Sequence, residues 1–132
     1  MISKVRQQRV LRYGSEYFTI KLPVITAGEF VVYDIGTSPA LNSAKKYKPL
    51  DFVEVTNNDV VDAEVSLDFQ DTFLVPRGVI KTISERSFHS LKIKNISASD
   101  SSADKIILTL QRMPITSDTY IRRFKLGQPG RF

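Results

Sequence analysis

The chain has 132 residues and no cysteine, which fits a single domain that buries a real hydrophobic core without disulfides, thiolate metal sites or a thiol nucleophile. Its formal net charge of +5 is unevenly placed: residues 1–22 carry five bases against Glu16, residues 112–132 carry five against Asp118, and residues 23–111 hold nine bases against twelve acids. A dedicated nucleic-acid domain would concentrate Lys and Arg on its folded face, whereas here the basicity belongs to the two ends.

In chain order, the first fifteen residues read as a basic arm containing Arg6, Arg9 and Arg12. They lack the apolar block of a secretory signal and the Ser-rich character of a transit peptide. "FTIKLPV" then alternates as a strand with Phe18, Ile20, Leu22 and Val24 inward, and Pro23 fits only a strand end or an edge. "EFVVYDI" is a shorter strand-type run, and "SPALNSAKKYK" can form only a short helix. "DFVEV" is strand-type again. In "VDAEVSLDF" the apolar set Val61, Ala63, Val65, Leu67 and Phe69 occupies every second place, predicting a strand with one buried and one wet face. "FLVPRGVIKTI" reads as two strands broken by a turn at Pro76-Arg77-Gly78. "SLKIKNI" and "KIILTLQRM" complete about eight strands, separated by the polar loop "SASDSSAD". Lys81, Lys92 and Lys94 are candidates for charges that guard an exposed sheet edge. No repeat is visible, and no run of about 18 apolar residues predicts a membrane span. The expectation is a soluble all-β protein: one antiparallel β-sandwich, jelly-roll or immunoglobulin-like, with a body over 16–113 and arms over 1–15 and 114–132.

Catalytic and cofactor signatures are missing from this sequence. His89 is the single histidine and has no ligand-spaced partner, so it predicts a surface position. No Gly-x-Ser-x-Gly elbow or Gly-x-x-x-x-Gly-Lys cradle occurs. Asp62, Glu64 and Asp68 form an outward row along one strand, which does not converge as a glycosidase pair must. Their pattern suits a solvated strand face, or a face that accepts a basic arm. "TNNDVVD" is a weak calcium-loop candidate, and Asn95-Ile96-Ser97 matches a glycan acceptor pattern. No catalytic residue, cofactor or metal is expected, and the chain reads as non-enzymatic.

The C-terminal segment "YIRRFKLGQPGRF" alternates Arg122, Arg123, Lys125 and Arg131 with Tyr120, Phe124, Leu126 and Phe132. A purely solvated tail has no use for those apolar groups. Extended basic-aromatic segments suit docking on a sheet edge or groove of another subunit, where Arg and aromatic residues supply hot spots. Expected contact residues are Arg6, Arg9, Arg12, Tyr120, Arg122, Arg123, Phe124, Lys125 and Phe132. Asp62, Glu64 and Asp68 form a possible acceptor face, nucleic acid is a secondary partner, and a carbohydrate- or ligand-binding module using exposed tyrosines is the alternative.

Over residues 50–113, "FVEVTNNDVVDAEVSLDF", "FLVPRGVIKTI" and "SFHSLKIKNISASDSSADKIILTLQR" together resemble the small β-sandwich structural proteins of prokaryotic viruses. In those, strands ending in Asn-plus-polar turns alternate with a "VP-x-G" turn and a long final strand. The resemblance implies a virion location and a capsid, decoration or spike-base subunit whose arms lock it to copies of itself or to other virion proteins. At 132 residues the chain is short for a major capsid jelly roll, which points to a minor role.

Overall fold

The computed structural model describes residues 14–114, apart from the Glu85 side chain. Among them are eight strands: β1 (Phe18–Lys21), β2 (Phe30–Asp34), β3 (Leu50–Asn57), β4 (Ala63–Leu67), β5 (Asp71–Val75), β6 (Ile80–Phe88), β7 (Ser90–Asn95) and β8 (Ile106–Gln111). They form two antiparallel four-stranded sheets, ordered β1-β8-β3-β6 and β2-β7-β4-β5. This is jelly-roll winding, which decides between the two sandwich types that the alternation left open. Between the sheets lie the inward members of each strand, among them Val53, Val55, Val65, Phe88, Ile93, Leu108 and Leu110, all fully buried. Each such side chain contributes about 1.5–3 kcal/mol of transfer free energy, so period-2 patterning drives the collapse. A kinked 3-10 helix, Pro39–Tyr47, buries Leu41 and Ala44 and packs against β1 and β2. Its Tyr47 ring lies 5.9 Å from that of Phe18.

The structure departs from the alternation at two places. Val24 and Phe69 are exposed rather than inward. The chain leaves β1 after Lys21 and, past Pro23, buries Ile25 instead, while Asp68 and Phe69 take left-handed φ values of 51° and 59° in the turn into β5. Lys92 and Lys94 also differ from expectation. Their strand β7 is paired on both sides, so they stand mid-face rather than guarding an edge.

A repeat that the sequence hides appears in the winding. Advancing every strand number by four converts the order β1-β8-β3-β6 into β5-β4-β7-β2, which is the second sheet. The same hydrogen bonds recur at equivalent places. Asn57 closes β3 and Asn95 closes β7, and both are fully buried. The Asn57 carboxamide donates to the carbonyls of Val61 and Val75, and its oxygen accepts from the Asp59 N–H. Asn95 donates to Ser99 and Ile25 and accepts from Ser97. Opposite each stands a turn with glycine in the left-handed region, Gly78 at φ 74° and Gly28 at φ 78°. The glycine N–H donates to the asparagine carbonyl in both turns. Five residues past each asparagine an aspartate accepts from the residue before that glycine: Asp62 from Arg77, Asp100 from Ala27.

These carboxamides should govern stability. Asn57→Ala takes a donor from the buried carbonyls of Val61 and Val75, and Asn95→Ala from the buried carbonyl of Ile25 and the more exposed one of Ser99, a cost of about 3 kcal/mol for Asn57 and about 2 kcal/mol for Asn95. Thermal unfolding followed by circular dichroism should show a midpoint lower by roughly 10 °C for either variant. Asn58→Ala, next door but exposed, should stay within about 0.5 kcal/mol of the parent.

Candidate functional site: a shared root for two basic arms

Both ends of the described chain meet at one end of the sandwich. Ser15, at 8% exposure, joins them. Its N–H donates to the Arg112 carbonyl, its hydroxyl accepts from the Arg112 N–H, and its carbonyl accepts from the Gln111 side chain. A Cβ added to Gly14 would sit 2.5 Å from the Arg112 carbonyl oxygen and 2.6 Å from the Pro114 nitrogen, and its φ is 74°. Only glycine lets the two segments lie this close.

Asp51 and Arg112 fix the C-terminal side of this root. A register shift between Leu50 and Phe52 places Leu50 and Asp51 both inside, as a bulge does when it inserts one residue. The Asp51 carboxylate, 2% exposed, accepts from the Met113 N–H at 2.7 Å. Arg112 Nε lies 4.0 Å from the other Asp51 oxygen, and Nη1 donates to the Pro49 carbonyl. Sequence reasoning missed Gly14, Ser15, Asp51 and Arg112 as a group. The signal was faint: an aspartate set among apolar residues at the start of β3.

The nine expected arm contacts, Arg6, Arg9, Arg12, Tyr120, Arg122, Arg123, Phe124, Lys125 and Phe132, lie outside the described residues. Asp62, Glu64 and Asp68 are described, and they have different surroundings. Asp62 precedes β4 and pairs with Arg77, Nε to Oδ1 at 3.2 Å. Hydrogen bonds from the Arg77 side chain and backbone hold its carboxyl below the ordinary aspartate range. Asp68 follows β4 and accepts from the N–H groups of His89 and Ser90. Glu64 alone belongs to the strand itself, where its cross-strand neighbours are Lys94 and Leu74. Asp71 of β5 pairs with Arg86 of β6, tying together edge strands of the two sheets.

Other candidates find their places. His89 is exposed, and no group of three His, Cys, Asp or Glu suited to a metal occurs among the described residues. No helix among them is long and apolar enough to cross a membrane. Asn95 is buried with its carboxamide committed, so the folded chain does not offer it as a glycan acceptor. Of the described tyrosines only Tyr17 is largely exposed, with its ring edge-on to Phe52 at 6.3 Å. Tyr33 and Tyr47 pack against the core, and burial raises the Tyr33 pKa.

The outer faces of the sheets contrast. One carries Lys92, Lys94 and Glu64 at its centre, with the Lys92 ammonium 4.6 Å from the centroid of the Phe30 ring. Cross-strand register gives the other face Thr19, Thr109, Glu54 and Thr82 in one row, with Tyr17, Phe52, Ile107 and Ile80 beyond it. At the end opposite the arm root, Asn57 ties loop 58–62 to loop 76–79 and Asn95 ties loop 22–29 to loop 96–105, while backbone bonds from Ile96 to Asp62 and from Asn58 to Lys105 join the two pairs.

Two measurements probe these arrangements. Gly14→Val should open the root, so that the Ser15 and Arg112 amides exchange hydrogen faster while core amides of β3 and β8 keep their protection. For Asp62, a depressed folded pKa means that its contribution is full above the unfolded value of about 3.9 and is lost as pH falls through the folded value. In NMR titration Asp62 should therefore protonate at lower pH than an ordinary aspartate, and Arg77→Ala should raise it only part of the way back, because the residue-77 backbone N–H still donates to it.

No protein-family model matches this sequence, and no curated protein shows significant similarity to it.

Proposed function

We propose that the chain is a non-enzymatic structural subunit, a minor capsid, decoration or spike-base component of a viral particle. It associates through its basic-aromatic arms with copies of itself or with other virion proteins. The observation that carries this reading is the common root. Residues 1–13 and 115–132 each hold four bases, and they join the body side by side, at Gly14 and Pro114, through an interlocked set of partly buried hydrogen bonds. A root built this firmly gives both arms one fixed origin on a rigid block. Docked arms lose less orientational freedom when their origin is held.

The tyrosines lend the alternative of a sugar-binding module little support, because Tyr33 and Tyr47 are spent on the core. Nucleic-acid contact by the arms remains the electrostatic rival, and salt dependence separates it from protein docking.

Light-scattering mass on a sizing column tests the proposal. The full chain, free of nucleic acid, should form defined oligomers at low and moderate salt, while a chain cut to residues 14–114 should run as a folded species of one chain. A full chain that stays monomeric alone and binds oligonucleotide with a steep salt slope would transfer the arms to nucleic acid.

A further inference from the structure

The end of the sandwich opposite the root combines exposed apolar side chains with an excess of acidic ones. Each of its four loops exposes a large apolar side chain: Val24 at 54%, Val60 at 71%, Val79 at 38% and Ile96 at 38%. The strand pairing sets these loops in a row across the end, each bridging one strand of each sheet. The same loops carry Glu29, Asp62, Asp100 and Asp104, with Asp59 buried beneath them, against Arg77 and Lys105, whereas the rest of residues 14–114 is close to neutral, with nine bases and eight acids. Exposed apolar groups set in a net acidic surface mark an interaction site.

Resting on the reading of the arms as assembly devices, we infer that this loop end receives the C-terminal arm of a neighbouring copy, joining copies head to tail. The chemistry matches. Residues 120–132 contain four bases and no acid, interleaved with Tyr120, Phe124, Leu126 and Phe132, so apolar groups can meet the exposed valines while the bases face the loop carboxylates. The geometry matches as well. The 18 residues after Pro114 can reach at most about 60 Å, and the longest strand, nine residues, spans about 30 Å. In a head-to-tail row the arm root of one copy stands over the loops of the next. Reaching its own loops would require the arm to double back along the whole sandwich. Such an interface is heterologous: each copy gives an arm and takes one, producing a ring or a filament.

Two full-length variants separate giver from taker. Arg122→Ser/Arg123→Ser/Phe124→Ser weakens the arm, and Glu29→Lys/Val60→Lys spoils the loop end at exposed positions. Circular dichroism first verifies that both are folded. Each alone should have the mass of one 14.9 kDa chain, and an equimolar mixture should give a species of twice that mass and no larger one, since only one intact arm and one intact loop end remain. A loop-end variant that assembles like the parent, beside a monomeric arm variant, overturns the loop receptor and leaves the arm reading standing. If the arm variant also assembles, both fall. A parent chain that is itself monomeric, its arm docked on its own loops, overturns the head-to-tail arrangement. A mixture that stays monomeric does the same.

Discussion

Two buried carboxamides hold this domain together at the place where strands alone cannot. A jelly roll passes its chain between sheets through loops, and each crossing strips backbone carbonyls and N–H groups of ladder partners. Asn57 and Asn95 resolve this by offering two donors and an acceptor from one side chain. Each ties its own loop, through Val61 or Ser99, to a second loop, through Val75 or Ile25. Because the two stations are equivalent under the shift of four strands, the domain is two copies of one winding unit closed against each other. Neither half can satisfy its crossings without the turn supplied by the other: Val75 belongs to the second half and Ile25 to the first. Fixing four loops in this way also fixes the apolar and acidic surface they present.

The aspartates show the same economy of use. Asp59, Asp62, Asp68 and Asp100 accept from backbone N–H groups in loops and turns, and Asp51 does so at the root. Part of the acidic body read from composition is therefore a set of turn and root acceptors. Their charge still acts at a distance, and the winding concentrates it at the loop end. The bases behave differently. Eight of them belong to residues 1–13 and 115–132, outside the described residues, in segments that join the body at Gly14 and Pro114.

The root and the loop end are joined by a body with four edge strands, β1, β6, β2 and β5. The edge strands β1 and β2 are flanked by the 3-10 helix, and β5 and β6 are tied by Asp71 and Arg86. In the assembly proposed above, edges guarded against random pairing would leave the arms and loops as the surfaces through which copies meet.

Much of this protein was legible in its residues. Alternation at Val61, Ala63, Val65 and Leu67, and again at Ile106, Leu108 and Leu110, reports burial of one strand face directly, because side chains point to opposite faces at successive positions. The Pro76-Arg77-Gly78 turn announced itself through residue types with restricted or permissive φ. The basic ends needed only counting. Alternation does not say which strand lies beside which, so it could not choose the jelly roll or place Lys92 and Lys94 on a central strand. The Asn57 and Asn95 stations were hidden because their distant partners lie 18 and 70 positions away. The root was hidden for the same reason: Ser15 and Arg112 are 97 positions apart. Local chemistry determined the strands, the turns and the charge of the arms. Only the packing of two sheets decided which loops share an end, because that is settled by distance in space and not along the chain.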